Sequence, residues 1–201
     1  MKEVFNRIAK DILAYVACVL VVIFGWSWVF SYLTTVKYEE KVTIFIGSHT
    51  LDFDKTEVLN EDKPEYLKLV DVQTYLVNDS MFSACLNAVG YGVGDILILP
   101  EKYIIQEGCS YYYAEISMEY QTQFENLGFH REEGRVYGIK IHDKETHESV
   151  IDCIDYGEGE QEENYYLVFN KDSYHLSDLS TAENKSDMDG AIQVAKRLFA
   201  L

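Results

Sequence analysis

The chain has 201 residues, with 34 acidic against 17 basic side chains and a formal net charge of −17. This acidic balance argues against a nucleic-acid partner and against docking on anionic lipid, because both require a basic face. The four cysteines include no C-x-x-C pair, and the three that lie outside the apolar amino-terminal run allow one disulfide or none.

The first predicted element is an apolar segment, residues 12–36, which contains no charged residue and no histidine. It exceeds the roughly 20 residues that a membrane-crossing helix needs. Trp26 and Tyr32 near its end are rings of the kind that settle at the headgroup level. Three basic residues precede the segment against two acidic ones. The positive-inside rule therefore predicts a cytoplasmic amino terminus (1–11) and an extracytoplasmic domain (37–201) on a single-pass protein of the cell membrane.

Two other interpretations of the apolar segment compete with a retained anchor in the lipid bilayer. A cleaved signal peptide has an apolar core of about 7 to 15 residues followed by small residues. This run is longer and ends in the bulky stretch WSWVFSYL. A lipoprotein signal would place its cysteine after the apolar run, whereas most of the run follows Cys18. The length and the flanks of the segment favour the anchor.

The predicted domain begins with a strand directly after a short tether, which places the domain beside its anchor. VTIFIG (42–47) is β-branched and aromatic and is closed by a glycine. LKLVDVQTYLV (67–77) and DILIL (95–99) are two further predicted strands. Because their hydrophobicity is continuous rather than alternating, they favour a parallel sheet covered by helices.

Helical patterns separate these strands. Residues 54–67 fit a short helix, and residues 78–94 fit a second helix closed by glycines. A tyrosine-rich helix is predicted from Cys109 to Leu127. The order β-α-β-α-β with short loops predicts an α/β, Rossmann-like, mainly parallel sheet flanked by helices.

Three more predicted strands and a helix complete the domain. The strands are GRVYGIKIHD from 134, ESVIDCIDY from 148 and NYYLVFNKDS from 164, with DKETH as a hairpin turn between the first two. The charged stretch 157–164 cannot bury apolar surface and is predicted to be mobile. SDMDGAIQVAKRLFAL at the end of the chain has the pattern of an amphipathic helix.

Four of these stretches together resemble the extracytoplasmic solute-binding proteins of bacterial ABC transporters, which have the periplasmic-binding-protein-like type II fold. They are VTIFIGS, GVGDILILPEKYI, REEGRVYGIKIHD and NYYLVFNKDS, in the order that the family has them. The resemblance implies a ligand cleft between two lobes. Between Gly138 and Tyr165, where the family has a second lobe, this chain is far shorter, so the resemblance implies a reduced second lobe. A transmembrane helix replaces the usual lipid anchor.

Polar side chains follow the first three predicted strands, where open parallel sheets bind their ligands. Tyr137, at the crossing toward the second lobe, is a further candidate for lining the cleft. Hydroxyl, amide and helix N–H groups there can hold a small polar or anionic solute. The alternative is that these side chains are ordinary caps and turn formers, or core packing in the case of Tyr137. The predicted ligand-binding residues are Ser48, His49, Thr50, Asn78, Ser80, Glu101 and Tyr137.

Metal binding and catalysis have weaker support in the sequence. His142 and His147 share the predicted hairpin, but their spacing matches no metal-site pattern. A calcium-loop alignment of SDMDG puts Lys185 and Lys196 where carboxylates are needed. The chain has no nucleophile elbow and no phosphate loop. We therefore expect no metal, no cofactor and no enzymatic activity.

Two functions remain open from the sequence. The first is a membrane-anchored binding or sensing module that recognises a small solute or serves an ABC permease. The second is a structural or interaction protein with the same fold but no ligand cleft, which contacts a neighbouring membrane protein. A pocket lined by Ser48, Asn78 and Glu101 would favour the first. Closed loops, together with an apolar patch on the tyrosine-rich segment 111–124, would favour the second.

Overall fold

The computed structural model describes residues 2–51, 53, 55–105, 108–151, 154 and 162–200. The chain forms two compact units, Met1–Lys37 and Tyr38–Leu201. The first unit contains helix α1 (Lys2–Thr34). Its stretch Ala14–Tyr32 is 19 residues long, apolar enough to cross a membrane and not buried in the protein. The predicted apolar helix is thus confirmed, and by length and composition it fits a membrane span or a signal sequence.

The second unit combines one sheet with short helices. A 3₁₀ turn (Tyr38–Glu40) leads into the first strand. The strands are β1 (Lys41–Ser48), β2 (Leu69–Leu76), β3 (Ile96–Pro100), β4 (Phe129–Glu132), β5 (Arg135–Asp143), β6 (Glu148–Ser149) and β7 (Tyr165–Phe169). The helices are α2 (Thr56–Glu61), α3 (Phe82–Cys85), α4 (Tyr91–Val93), α5 (Glu101–Ile105), α6 (Cys109–Tyr112), α7 (Met118–Gln121) and α8 (Gly190–Leu198). A π-helical turn (Leu86–Gly90) joins α3 to α4, and a 3₁₀ turn (Thr122–Phe124) follows α7.

The sheet is mixed, so the predicted α/β class with flanking helices is confirmed and the mainly parallel arrangement is wrong. The strand order is β2-β1-β3-β7-β5-β4, with β6 paired to β5. β1 pairs in parallel with β2 and β3, whereas β7 runs antiparallel between β3 and β5. Every residue of β7 is buried. Continuous hydrophobicity reports burial on both faces, and an antiparallel strand covered on both faces has the same pattern.

The reduced second lobe that the resemblance implied is likewise not what the described residues form. β4, β5 and β7 extend the same sheet as β1–β3. Residues 38–201 accordingly form one compact unit. Because two antiparallel pairings restore the direction, β5 runs the same way as β3. We call the end of the sheet where β1, β2, β3 and β5 finish its carboxyl end, and the opposite end its amino end.

Each face of the sheet packs against its own hydrophobic cluster. One cluster joins Ile44 and Leu167 to side chains of α2, α7 and α8. The other joins Phe45 and Val168 to side chains of α3, α5 and α6. α8 confirms the predicted amphipathic closing helix, since six of its nine residues are buried.

The tyrosine-rich helix predicted from Cys109 to Leu127 is interrupted. Between α6 and α7 the chain is extended, and Tyr113 forms a bridge with Asn170 at the end of β7. The amides of Ala114 and Ile116 donate to the carbonyls of Phe169 and Val136 at 2.9 and 2.8 Å. Backbone groups of distant strands therefore override the local helical pattern.

Two strand boundaries also differ from the prediction. β4 was not predicted. It pairs with β5 through a two-residue turn in which Glu133 and Gly134 both have positive φ, 50° and 83°, as a type I′ hairpin turn requires. The predicted strand from 148 is limited to Glu148–Ser149 among the described residues, because 152–153 and 155–161 lie outside them. The predicted mobile loop lies mostly outside the described residues as well. The hairpin turn between β5 and β6 is confirmed.

Candidate functional site

The loops after β1 and β2 close onto each other at the carboxyl end of the sheet. Ser48 is fully buried, its carbonyl accepts a hydrogen bond from the Val77 amide at 2.9 Å, and its hydroxyl accepts one from the Thr50 amide at 3.3 Å. The side-chain amide nitrogen of Asn78, Nδ2, lies 3.3 Å from Nδ1 of His49. The structure thus brings together Ser48, His49, Thr50 and Asn78, which among the described residues form a hydrogen-bonded junction between the two loops. Ser80 is exposed beyond this junction.

Glu101 lies at the start of α5, directly after β3, and its carboxylate is already engaged. It accepts hydrogen bonds from Nδ2 of Asn164 at 3.0 Å and from the hydroxyl of Tyr166 at 3.4 Å. Burial, and then the charge of Glu101, raises the pKa of Tyr166, so that hydroxyl stays protonated as a donor. Glu101 also lines a surface cavity of about 490 Å³ together with Lys102, Lys144 and other residues, but neither Ser48 nor Asn78 lines that cavity.

Two histidines of the β5–β6 hairpin share one carboxylate near the same end of the sheet. Nε2 of His142 lies 3.0 Å from one oxygen of Glu162, and Nδ1 of His147 lies 2.5 Å from the other. Nδ1 of His142 is hydrogen bonded to the Ser149 hydroxyl at 2.6 Å. Each imidazole therefore bonds its own carboxylate oxygen. Within the described residues no group of three or more His, Cys, Asp or Glu side chains is placed to hold a metal ion. Sequence spacing showed the histidine pair but not Glu162.

Tyr137, the remaining predicted site residue, lies at the opposite end of the sheet. Its neighbour Gly138 pairs with Val168, and Val168 pairs with Leu97, which places Tyr137 at the amino end. Only 3% of Tyr137 is exposed. It lines a cavity of about 370 Å³ between the start of β5 and the extended segment after α6. The seven predicted residues are thus divided between two ends of the domain.

Beside this cavity, four tyrosines from two separate parts of the chain form a tyrosine cluster: Tyr91, Tyr111, Tyr112 and Tyr113. The rings of Tyr91 and Tyr112 are stacked with centroids 4.0 Å apart, and Tyr111 meets Tyr112 edge-on at 4.5 Å. The hydroxyls of Tyr91 and Tyr113 share a hydrogen bond of 3.1 Å. Tyr111 is 62% exposed, which is high for a large aromatic side chain.

Lys171 and Val93 extend this surface. The ammonium group of Lys171 lies 4.8 Å from the centre of the Tyr111 ring, within the range of a cation–π interaction. Val93 of α4, two residues after Tyr91, is 44% exposed. The run of three tyrosines is visible in the sequence, whereas the partnership with Tyr91 and Lys171 exists only in the folded chain.

A third polar cluster is centred on a buried aspartate and joins the exposed first residue of the domain, Tyr38, to its core. Asp95 is fully buried and accepts hydrogen bonds from the Thr43 amide at 2.8 Å, the Ser173 hydroxyl at 2.5 Å and the Tyr38 hydroxyl at 3.2 Å. Nε2 of His175 lies 3.1 Å from the carbonyl oxygen of Tyr38. Asp95, Thr43, Ser173 and His175 are fully buried, so the hydrogen bonds of this cluster attach Tyr38 to the core of the domain.

No protein-family model matches the chain, and neither a curated protein nor a solved structure matches it. The resemblance to solute-binding proteins therefore stays a prediction. The candidate site rests on geometry alone, and the tyrosine cluster with the adjoining cavity is one of the surface features of the described residues.

Proposed function

We propose that this chain is a membrane-tethered interaction module, in which α1 spans the bilayer and the α/β domain contacts a neighbouring membrane protein on the extracytoplasmic side. Of the two functions open from the sequence, this is the second. The observation that carries it is the tyrosine cluster, in which Tyr111 is exposed and Tyr91 and Tyr112 are partly exposed, because an apolar patch on the segment 111–124 was the criterion for an interaction protein. The loops at Ser48 and Asn78 add support, because their described residues are hydrogen bonded to one another at the predicted ligand position.

The occupant that suits this surface is a basic extramembrane segment of an integral membrane protein. Residues 37–201 carry 14 basic and 32 acidic side chains, a net charge of −18, so a cationic partner is attracted over long range. At short range, tyrosine faces accept cations, as the position of Lys171 over Tyr111 illustrates. Tyr and Arg are also the residues that most often anchor protein interfaces. The three residues between α1 and the 3₁₀ turn at Tyr38 keep the domain tethered to the bilayer in which that partner resides.

Site-specific photo-cross-linking in intact cells tests this proposal. A benzophenone amino acid replaces Tyr111 in one variant and Val58 in the control. Val58 is also exposed, but it belongs to α2, which packs on the other face of the sheet. We expect position 111, and not position 58, to form an adduct with an integral membrane protein that has a basic extramembrane segment.

A substitution pair makes the role of the ring specific. Tyr111→Phe keeps an aromatic face and should preserve co-purification of the identified partner, whereas Tyr111→Leu keeps the apolar bulk and should weaken it. Raising the salt concentration should weaken co-purification as well, because surface charges are screened. Adducts in equal yield at both positions, or identical behaviour of the two substitutions, would show that the tyrosine cluster is not the contact surface.

A further inference from the structure

The cavity at Tyr137 is a second recognition feature, distinct from the exposed ring faces of the tyrosine cluster. Its volume of about 370 Å³ lies within the roughly 300 to 1,000 Å³ typical of small-molecule sites. Its floor is Tyr137 of β5, and its walls come from the extended segment after α6 and from the loop around Asp178. Three separate parts of the chain therefore line one concave space that is open to solvent.

The hydroxyl of Tyr137 is the first sign of a ligand. The side chain is almost completely buried, and within the described residues its hydroxyl has no hydrogen-bond partner. The hydroxyl oxygen itself is accessible rather than enclosed, and Tyr137 lines the cavity. A polar group of a ligand in this cavity can therefore form a hydrogen bond with it.

The charges around the cavity are the second sign. Arg135, Lys171, Glu115 and Asp178 all line it, a balanced set in a domain that is otherwise strongly acidic. Arg135 and Glu115 lie 3.5 Å apart and form an exposed ion pair with each other. Neither Lys171 nor Asp178 forms an ion pair in the part of the chain that the structure describes. The cavity thus offers one cation, Lys171, and one anion, Asp178, that are not held in ion pairs.

We propose that this cavity binds a small zwitterionic solute of the amino-acid or dipeptide class. The carboxylate of the solute lies toward Lys171, and its ammonium group lies toward Asp178. Tyr137 donates to or accepts from a polar group of the solute between these two groups. A simple anion would leave Asp178 without a counterion and a simple cation would leave Lys171 without one, so only a molecule with both charges satisfies the two groups.

This site goes beyond the proposed function and does not depend on a protein partner. It shares Lys171 with the tyrosine cluster, because the same ammonium group lines the cavity and lies over the Tyr111 ring. A solute carboxylate that draws Lys171 into the cavity uncovers one face of Tyr111. The solute would therefore change the surface that a partner meets.

Titration calorimetry on the full-length chain in detergent micelles tests the ligand class. The probes are the dipeptide Ala-Ala, its N-acetyl derivative, which lacks the ammonium charge, and its amide, which lacks the carboxylate. We expect Ala-Ala to bind, and each derivative to bind at least about tenfold more weakly, because the N-acetyl derivative leaves Asp178 without a counterion and the amide leaves Lys171 without one. No binding of Ala-Ala, or equal binding of the three probes, overturns the proposal. Tighter binding by a singly charged derivative also overturns it.

Two variants locate the binding in this cavity. Tyr137→Phe removes only the hydroxyl and should weaken Ala-Ala binding by about three- to tenfold, the effect of one hydrogen bond. Lys171→Met should abolish the preference for the free carboxylate over the amide. The matched control is Lys68→Met, which removes an exposed lysine paired with Glu40 and should leave the affinity unchanged. Circular dichroism verifies that each variant is folded. Unchanged affinity in both folded cavity variants would place the binding elsewhere. Because the cross-linking at Tyr111 requires no solute, this proposal and the proposed function can fail separately.

Discussion

Removing the carboxylate of Asp95 should be among the most destabilising single changes in the domain. Asp95→Ala eliminates the common acceptor of three donors: the Thr43 amide, the Ser173 hydroxyl and the Tyr38 hydroxyl. Asp95, Thr43 and Ser173 are fully buried, so water cannot readily replace the lost acceptor. The first residue of the domain, Tyr38, loses one of its attachments to the core at the same time.

The expected magnitude follows from the number of donors left unpaired. A buried donor without an acceptor costs about 1–3 kcal/mol, although a hydroxyl recovers part of this by rotating. Because two of the three donors are hydroxyls, we expect a total loss in the lower part of the summed range, about 3–5 kcal/mol. Since domains are typically stable by only about 5–15 kcal/mol, the variant should be close to unfolding.

Urea-induced unfolding of the full-length chain in detergent micelles measures this loss through the near-ultraviolet circular dichroism of the packed tyrosines. The matched control is Asp71→Ala, which also removes one aspartate. Asp71 is paired with Lys41 at 3.3 Å, and both side chains are partly exposed, so the control should lose no more than about 1 kcal/mol. If Asp95→Ala loses less than about 1 kcal/mol, or no more than the control, the buried cluster does not stabilise the domain as argued.

The same residue gives a pH signature. Burial, against the opposing influence of His175 and of the hydrogen-bond donors, raises the pKa of Asp95 above its ordinary value of 3.8. The folded state then binds the proton of the Asp95 carboxyl more tightly than the unfolded chain does. The resulting contribution to the free energy of unfolding is fully present below the ordinary pKa of the carboxyl, and it is lost as the pH rises through the pKa of the folded state. Asp95→Asn should therefore show a flatter decline of unfolding free energy with rising pH. An unchanged slope would contradict the assignment.

Three further predictions concern a glycine, a cysteine and an aspartate. A Cβ on Gly94 would lie 2.6 Å from a backbone oxygen, so Gly94→Ala should lose about 1–3 kcal/mol. Gly92→Ala, with its nearest neighbour at 3.6 Å, should lose none, and urea denaturation compares the two variants. Burial and then a neighbouring carboxylate raise the pKa of the Cys109 thiol to about 12, so iodoacetamide should label the half-buried Cys85 before Cys109. Equal labelling of these two cysteines, measured by mass spectrometry, would refute this. Burial would raise the pKa of Asp189, but hydroxyl and amide donors lower it, so Asp189→Asn should destabilise the chain more near pH 7 than near pH 3, and a constant difference would count against it.

Sequence patterns predicted the elements whose evidence is local. The apolar helix, the first three strands and α8 follow from runs of hydrophobic residues and from helical periodicity, which neighbouring residues determine. The polar junction at Ser48 and Asn78 could also be predicted from the sequence, because parallel strands bring their carboxyl ends together.

The tertiary structure decided what depends on residues far apart in the chain. A hydrophobic run such as that of β7 states only that both faces are covered, and the direction and the neighbours of the strand come from its hydrogen bonds to β3 and β5. The same is true of the segment after α6, whose amides pair with two distant strands instead of completing a helix. Tyr91 stacks on Tyr112, and Tyr137 lines a cavity with Lys171, only because the sheet order places them together. Local patterns determine which segments are buried, whereas the surface that can recognise another molecule is assembled from contacts that the sequence does not record.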